Sequence, residues 1–389
     1  MTTQLLEGRW NETKDALLEG LQGSKRSTMA VILENTRKHL AENATGGATA
    51  VGNVATLNRV ILPVIRRVMP TVIANEIVGV QPMTGPVAQI HTLRVRYADN
   101  SGAVTAGDRV YSGDEALSPF KIATAYSGTS AGKASSTSSL EGVPGNRINV
   151  QILKQVVEAK TRKLSARWTF EAAQDAQSMH GLDVEAEIMA ALAQEITVEI
   201  DQEIIGSLRA LAGQTYSYNQ ATVSGTATFV GDEHAALAVV INRAANLIAQ
   251  RTRRGAGNWA VVSPAALTVL QSATTSAFAR STEGTFEAPT NTKFVGTLNS
   301  AMKVYVNTYA SDDTVLVGYK GSSESDAAAF YCPYVPLMSS GVVLDPNTFE
   351  PVVGFMTRYG YVELSNTASS LGNSADYLEE ITVSNLSFQ

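Results

Sequence analysis

The chain has 389 residues, 44% of them hydrophobic and 17% charged, with a formal net charge of −6. That length allows two or three domain-sized units, and the composition is ordinary for a globular core. The acidic balance excludes a surface that grips nucleic acid all round through its phosphates, and the lone Cys332 excludes an internal disulfide or a cysteine zinc site.

After Met1-Thr2-Thr3-Gln4 the pattern is amphipathic, unlike the apolar core of a secretory signal. Leu6, Trp10, Leu17 and Leu21, and then Met29, Ile32, Leu33, Thr36 and Leu40, fall close to helical spacing. They predict two short helices separated by Gly20, Gly23 and Ser24. Helices this short are marginal in water and need a partner surface. Residues 44–53 read as a flexible linker. In 54–80, Leu57, Val60, Ile61, Val64 and Val68 form an apolar stripe; Pro63 starts or kinks a helix there and Pro70 stops it. Leu93, Val95 and Tyr97 alternate with Arg94 and Arg96, the mark of a half-exposed strand.

Residues 100–149 have no helical period, and the tip 127–139 is Gly, Ser, Ala and Thr with the single Lys133. A structureless loop of that length is unusual inside a compact domain. A protruding hairpin-like loop is expected, lying on another chain or reaching into solvent. Residues 181–212 are the strongest helix, with Leu182, Ile188, Leu192, Ile196, Ile200 and Ile204 in register. Roughly 30 residues give about 45 Å, a length that suits a spine. A further helix covers 233–252, and short strands at 260–263, 303–307, 315–319 and 352–364 surround a helix at 264–271. Apolar runs are broken by charge well short of ~18 residues, so no membrane-spanning helix is expected. The class is α+β, without internal repeats.

Residues 317–360 hold Gly318-Tyr319-Lys320-Gly321, Tyr331-Cys332-Pro333-Tyr334-Val335-Pro336-Leu337 and Thr357-Arg358-Tyr359-Gly360. Tyrosine, proline and glycine serve shape rather than reaction, which points to packing and assembly. Cys332 reads as a small buried hydrophobe in a reducing compartment.

Charge is uneven along the chain. Arg59, Arg66, Arg67, Arg94 and Arg96 oppose only Glu76 in 54–97, whereas 181–212 carries seven acids against Arg209. Glu195, Glu199 and Glu203 share one helix face, where like charges cost about 0.2–0.5 kcal/mol per pair in an isolated helix. A basic partner relieves that cost, whether the 54–97 segment, a neighbouring copy, or the basic stretch 154–167. A solvated face is the alternative.

Catalytic motifs are weak. Gly128-Thr129-Ser130-Ala131-Gly132 spells a nucleophile elbow, but no apolar helix follows it and none of His39, His91, His180 and His234 is an evident partner. The same tip is one residue short of a phosphate loop, with Ala134 where Ser or Thr would hold magnesium. Gly255-Ala256-Gly257 follows a helix rather than a strand and reads as a stop and turn. Asp232-Glu233-His234 reads as helix N-terminal capping instead of a metal site.

Several long segments follow one another in an order that resembles the major capsid proteins of contractile-tailed, T-even-type phages. These are Ile61-Leu62-Pro63-Val64-Ile65-Arg66-Arg67, the run from Ala74-Asn75-Glu76-Ile77 to Met83-Thr84-Gly85-Pro86, His180-Gly181-Leu182-Asp183, Gly255-Ala256-Gly257-Asn258-Trp259 and the C-terminal block. The resemblance covers most of the chain and implies the Hong Kong 97 (HK97) capsid fold. It implies an N-terminal segment and linker (1–53), an arm with the first peripheral strand (54–99) and an extended E-loop (100–150). A peripheral domain (151–225) with its spine helix at 181–212 follows, then an axial domain (226–344) and a return to the peripheral domain (345–389). T-even proteins carry a globular insertion in the E-loop region; here that region is too short and too poor in apolar residues, so a plain E-loop is expected.

The implied function is structural, not enzymatic, with no cofactor, metal or membrane. Copies would assemble into hexamers and pentamers of an icosahedral head around double-stranded DNA held non-specifically. Implied partners are portal, scaffolding, prohead protease and decoration proteins, in a virion assembled in the bacterial cytoplasm. An encapsulin-like compartment is the alternative of the same fold, and a hydrolase using Ser130 the rival from another class. The family's cleavage pattern fits Leu40-Ala41-Glu42, with a cut after Glu42, though Glu7, Glu19 and Glu34 fit too. Residues 1–42 are either removed or retained as an ordered arm. The expected contacts between subunits are Arg59, Arg66, Arg67, Lys133, Glu195, Glu199 and Glu203.

Overall fold

The computed structural model describes residues 72–98, 136–142, 147–180, 183–223, 230–252, 254–272, 278–280, 293–299, 301–324, 326–348, 350–364 and 373–386. It also describes 26–35 and a few positions between 10 and 23. In chain order its strands are β1 (Gly79–Val80), β2 (Val87–Tyr97), β3 (Ile148–Glu158), β4 (Lys160–Arg167), β5 (Gly213–Asn219), β6 (Trp259–Val262), β7 (Phe278–Arg280), β8 (Lys293–Leu298), β9 (Met302–Val306), β10 (Thr314–Gly318), β11 (Ala329–Leu344), β12 (Pro351–Glu363) and β13 (Leu378–Ser384). The main helices are α1 (Ala74–Ile77), α2 (Phe170–His180), α3 (Val184–Leu211), α4 (Val230–Thr252) and α5 (Pro264–Ser272). Two compact units divide the chain discontinuously: Met1–Ala88, Val157–Ile204 and Phe330–Val362 form one, and Gln89–Val156, Ile205–Ala329 and Glu363–Gln389 the other.

The first unit holds a four-stranded sheet in the order β1-β11-β12-β4. β12 alternates with period two: Val353, Phe355, Thr357 and Tyr359 are buried, facing Ala166, Leu164, Arg162 and Lys160 in antiparallel register. The opposite face carries Lys163, Ser165, Gly354 and Met356. α3 contributes Leu192, Ile196, Ile200 and Ile204, all buried, as its 3.6-residue period requires. Asp183 caps this helix by accepting the N–H groups of Glu185 (3.1 Å) and Ala186 (3.4 Å). The helix 26–35 buries Met29, Ile32 and Leu33, and the Asn35 side chain donates to the carbonyls of Met83 (2.6 Å) and Tyr334 (3.3 Å). This supplies the partner surface that so short a helix needs.

The second unit is built on a seven-stranded sheet, β5-β13-β10-β6-β9-β8-β7. α4 and α5 set Leu237, Ile241, Ala244, Ile248, Val269 and Leu270 against alternate strand residues such as Val262, Val304, Val315, Val317 and Ile381. Ser263 caps α5 through its hydroxyl, which accepts the Ala266 N–H at 3.3 Å, and Pro264 takes the first helical position, where no N–H is needed. At Gly318 the Trp259 ring lies so close that a Cβ would overlap it. Gly213 begins β5 rather than closing α3 by a left-handed turn. A Cβ there would stand 2.9 Å from the Glu379 carboxylate, so close approach is the reason for glycine.

Four features differ from the sequence reading. α4 starts at Val230, so Glu233 and His234 lie inside its first turns and are buried instead of capping it. β11 is a 16-residue strand buried along most of its first nine residues, and it belongs from Phe330 to the first unit, not with 226–344. The stretch after 345 is divided: β12 joins the first unit's sheet, while β13 lies between β5 and β10 in the second. β2 and β3 pair as a two-stranded ribbon, and the Ala98 N–H donates to the Arg147 carbonyl (3.0 Å). Along β2, Arg96 is buried and Val95 only half-buried, the reverse of the expected sidedness.

Candidate assembly interface

Arg162, on β4, organises the acidic face of α3. Its guanidinium forms ion pairs with Glu199 and Glu203, and its Nε donates to the Tyr359 hydroxyl at 2.8 Å. Tyr359 in turn donates to Glu203. Burial works against the Arg162 cation, but these bonds outweigh it and hold its pKa above the ordinary arginine value. The basic stretch 154–167 therefore supplies the partner for two of the three aligned glutamates. Glu195 stands exposed on the same helix.

Beside this cluster sits Asp201, 1% exposed. Its Oδ1 accepts the Ile73 N–H at 2.9 Å, at the start of α1, and its Oδ2 is buried with no partner among the described residues. Burial pushes this carboxyl up to about 7, against the opposing pull of the Ile73 bond. The fully enclosed Tyr331 hydroxyl is also raised, first by burial and then by Tyr359 and Asp201. Burial pushes the Cys332 thiol up to about 12. Such a thiol stays protonated at neutral pH and acts as a core side chain. Asp201 falls in the buried register Thr197–Asp201–Ile204–Leu208. An acid at an apolar position was the sequence signal for it, and charge counting alone passed over it.

Nothing among the described residues assembles a reaction centre. His234 Nδ1 lies 2.6 Å from the Ser272 hydroxyl, but that hydroxyl also bonds the carbonyls of Thr268 and Val269. A serine that gives its one proton to its own helix accepts from the imidazole, the opposite of nucleophile activation. Among the described residues no group of His, Cys, Asp or Glu could hold a metal ion, and no helix is long and apolar enough to cross a membrane. Glu42, Arg59, Arg66, Arg67, Ser130 and Lys133 lie outside the described residues.

What the molecule does present is unused apolar surface. Ile148, Val150, Ile152 and Val156 share one face of β3 and are 45%, 64%, 66% and 52% exposed. Val342, Val343 and Leu344 are exposed in succession at the end of β11, and Phe170 opens α2 in the same state. A groove of about 400 Å³ crosses the outer face of the first unit's sheet, lined by Lys163, Ser165, Met338, Ser340, Gly354 and Met356. Contiguous exposed apolar surface marks association. The fold and these surfaces define a structural protein that works by packing against other protein.

The chain belongs to the Gp23 major capsid protein family, whose model matches residues 54–383. It is 31% identical over 426 residues to the major capsid protein of Vibrio phage KVP40, covering 87% of this chain and 82% of that one. It is 30% identical over 408 residues to that of Enterobacteria phage T4, covering 82% and 77%. In fold it is similar to a structure from Microbacterium phage Oxtober96 (10% identical, TM-score 0.46, 80% of this chain and 90% of that one). It is similar also to the capsid of Myoviridae phage XM1 (10% identical, TM-score 0.43, 79% and 89%). The assignment rests on the family match and the sequence relatives: this is a major capsid protein of phage heads, a structural component of the virion. Its relatives are phage capsid proteins, which decides against the encapsulin-like compartment and the hydrolase.

Proposed function

We propose that copies of this chain close into hexamers and pentamers of an icosahedral head that holds double-stranded DNA without sequence preference. Assembly would take place in the bacterial cytoplasm with portal, scaffolding, protease and decoration partners. In this reading the first compact unit is the peripheral domain, α3 its spine, the second unit the axial domain, and the β2–β3 ribbon the base of the E-loop. The observation that carries it is the apolar face of β3, four large side chains left open on a ribbon that two strands alone do not stabilise. Many such contacts, each weak, add up in a closed shell. Ile152→Asp tests it: the variant should fold as a soluble monomer and lose particles by sedimentation, and particle yield equal to the unaltered chain would overturn the role of β3.

The maturation cut is proposed after Glu42. Its removal of 1–42 would withdraw the buried Met29, Ile32 and Leu33 from the first unit, which makes the cut a conformational event as well as a trimming. Intact mass of protein from mature particles reads it directly. A full-length mass there would overturn cleavage and leave the segment as a retained arm.

A further inference from the structure

We propose that Asn35 is a clasp that locks helix 26–35 onto the first unit and withholds the bond after Glu34 from cleavage, in favour of the bond after Glu42; this rests on the maturation reading above. Glu34 fits the cleavage pattern as well as Glu42 does, with Ile32 two positions before it as Leu40 stands before Glu42. The pattern does not choose between them, whereas the packing around Glu34 does.

Every group that a protease would grip at Glu34 is already engaged. Ile32 is fully buried, with Met29 and Leu33 on the same face of the helix. The Glu34 Oε2 accepts the Trp10 indole N–H at 3.3 Å, and the Lys14 Nζ lies 3.6 Å from it. Asn35 is buried too, and its amide nitrogen donates to the Met83 carbonyl at 2.6 Å and the Tyr334 carbonyl at 3.3 Å. Those two carbonyls lie where the parallel pairing of β1 with β11 runs out. The Gln81 N–H donates to the Tyr331 carbonyl (3.0 Å) and the Met83 N–H to the Pro333 carbonyl (2.9 Å), continuing the β1 ladder. Both partners of Asn35 are acceptors, so only its NH2 can face them, and its two hydrogens serve one each. Removing that donor leaves two acceptors unpaired beside a buried side chain, which is costly. A protease binds its substrate extended, so the helix must first leave its seat. The rate of cutting then follows the population of that open form.

The test uses the purified full-length protein and a glutamyl endopeptidase, which cuts after any accessible glutamate, with the products read by mass. In the unaltered chain the cut after Glu42 should outpace the cut after Glu34 by about tenfold or more. Asn35→Asp keeps the shape and removes both donors, and Asn35→Ala removes the group. Each should raise the rate after Glu34 about tenfold and leave the rate after Glu42 unchanged. General loosening of the first unit would instead raise cutting after Glu203, within α3, by the same factor. Hydrogen exchange gives a second readout that needs no variant: the amides of 29–33 should exchange about a hundredfold or more slower than in an unfolded chain. Equal cutting after Glu34 and Glu42 in the unaltered chain would overturn the clasp. So would unchanged rates in both variants, an equal rise after Glu203, amides of 29–33 exchanging at the unfolded rate, or mature particles whose protein begins at Asn35. Full-length protein in mature particles would overturn the cut after Glu42 but not the clasp, which the endopeptidase rates decide by themselves.

Discussion

Arg162 and Asp201 show two fates for charge within one unit. Arg162 was legible in part, because the basic stretch 154–167 and the aligned glutamates of α3 are both visible in the sequence. The Tyr359 hydroxyl that closes the triangle was not, since it depends on the pairing of β4 with β12. Glu199 remains about half exposed, so the ion pairs are worth less than their number suggests. Arg162→Ala should cost about 1–2 kcal/mol by urea midpoint at unchanged slope. Arg162→Lys should recover less than half of that, because an ammonium cannot reproduce the fork. An Arg162→Ala midpoint equal to the unaltered protein would show that the network is solvated.

Asp201 makes the stability of the first unit depend on pH. Its folded value of about 7 lies above the ordinary 3.8, so the native state holds the proton more tightly than the unfolded chain. Its contribution to stability is therefore greatest below about pH 4, falls as pH rises to 7, and is gone above that. Tyr331, Tyr359 and Cys332, which face the same interior, are all raised and stay neutral across this window. Asp201→Asn keeps an acceptor for the Ile73 N–H without the charge. It should raise the melting temperature at pH 8, by up to about 4 kcal/mol in stability, and lose that advantage as the pH falls to about 4. A pH-independent difference would remove the carboxylate from the account. Gly318→Ala should cost about 1–3 kcal/mol by thermal melting, because the Trp259 ring has nowhere to retreat in a packed sheet.

At the scale of elements, periodic helices and buried strands were readable, and elements held by non-local partners were not. α3, α4 and α5 declare themselves by apolar spacing, and Ser263-Pro264 marks a start. α2 carries no apolar stripe over two turns, only Ala, Gln and acids, so its helical form is a matter of propensity that pattern reading passed over. β13 carries two adjacent acids directly after Leu378, an unpromising core strand. Yet Glu379 and Glu380 are buried, the first paired with Arg251 (2.8 Å) and bonded to the Thr215 N–H (2.6 Å), the second paired with Arg209 (2.7 Å). The Thr215 bond ties β5 to β13, and the two arginines tie β13 to α4 and α3. Breaking one buried pair strands the other charge, so Glu379→Gln should destabilise by about 3–5 kcal/mol. Replacing both partners with apolar residues, Arg251→Met with Glu379→Leu, should cost markedly less by the same chemical denaturation. Equal losses would show that the pair itself, rather than the orphaned arginine, sets the cost.

At the scale of the whole molecule, the family was legible from ordered, non-catalytic segments, whereas the surfaces that would join copies emerge only once the strands are placed. The apolar residues of β3 alternate in the sequence, but only the two-stranded ribbon reveals that nothing in its described partners covers them. Lone elements of marginal stability on a stable scaffold suit a subunit completed by its neighbours. The most direct measurement is electron microscopy of the purified, full-length protein alongside its sedimentation. Closed shells of uniform size, disassembled by Ile152→Asp while the monomer still melts cooperatively, are the expected result. A protein that remains monomeric at every concentration and pH at which it is folded would contradict the account.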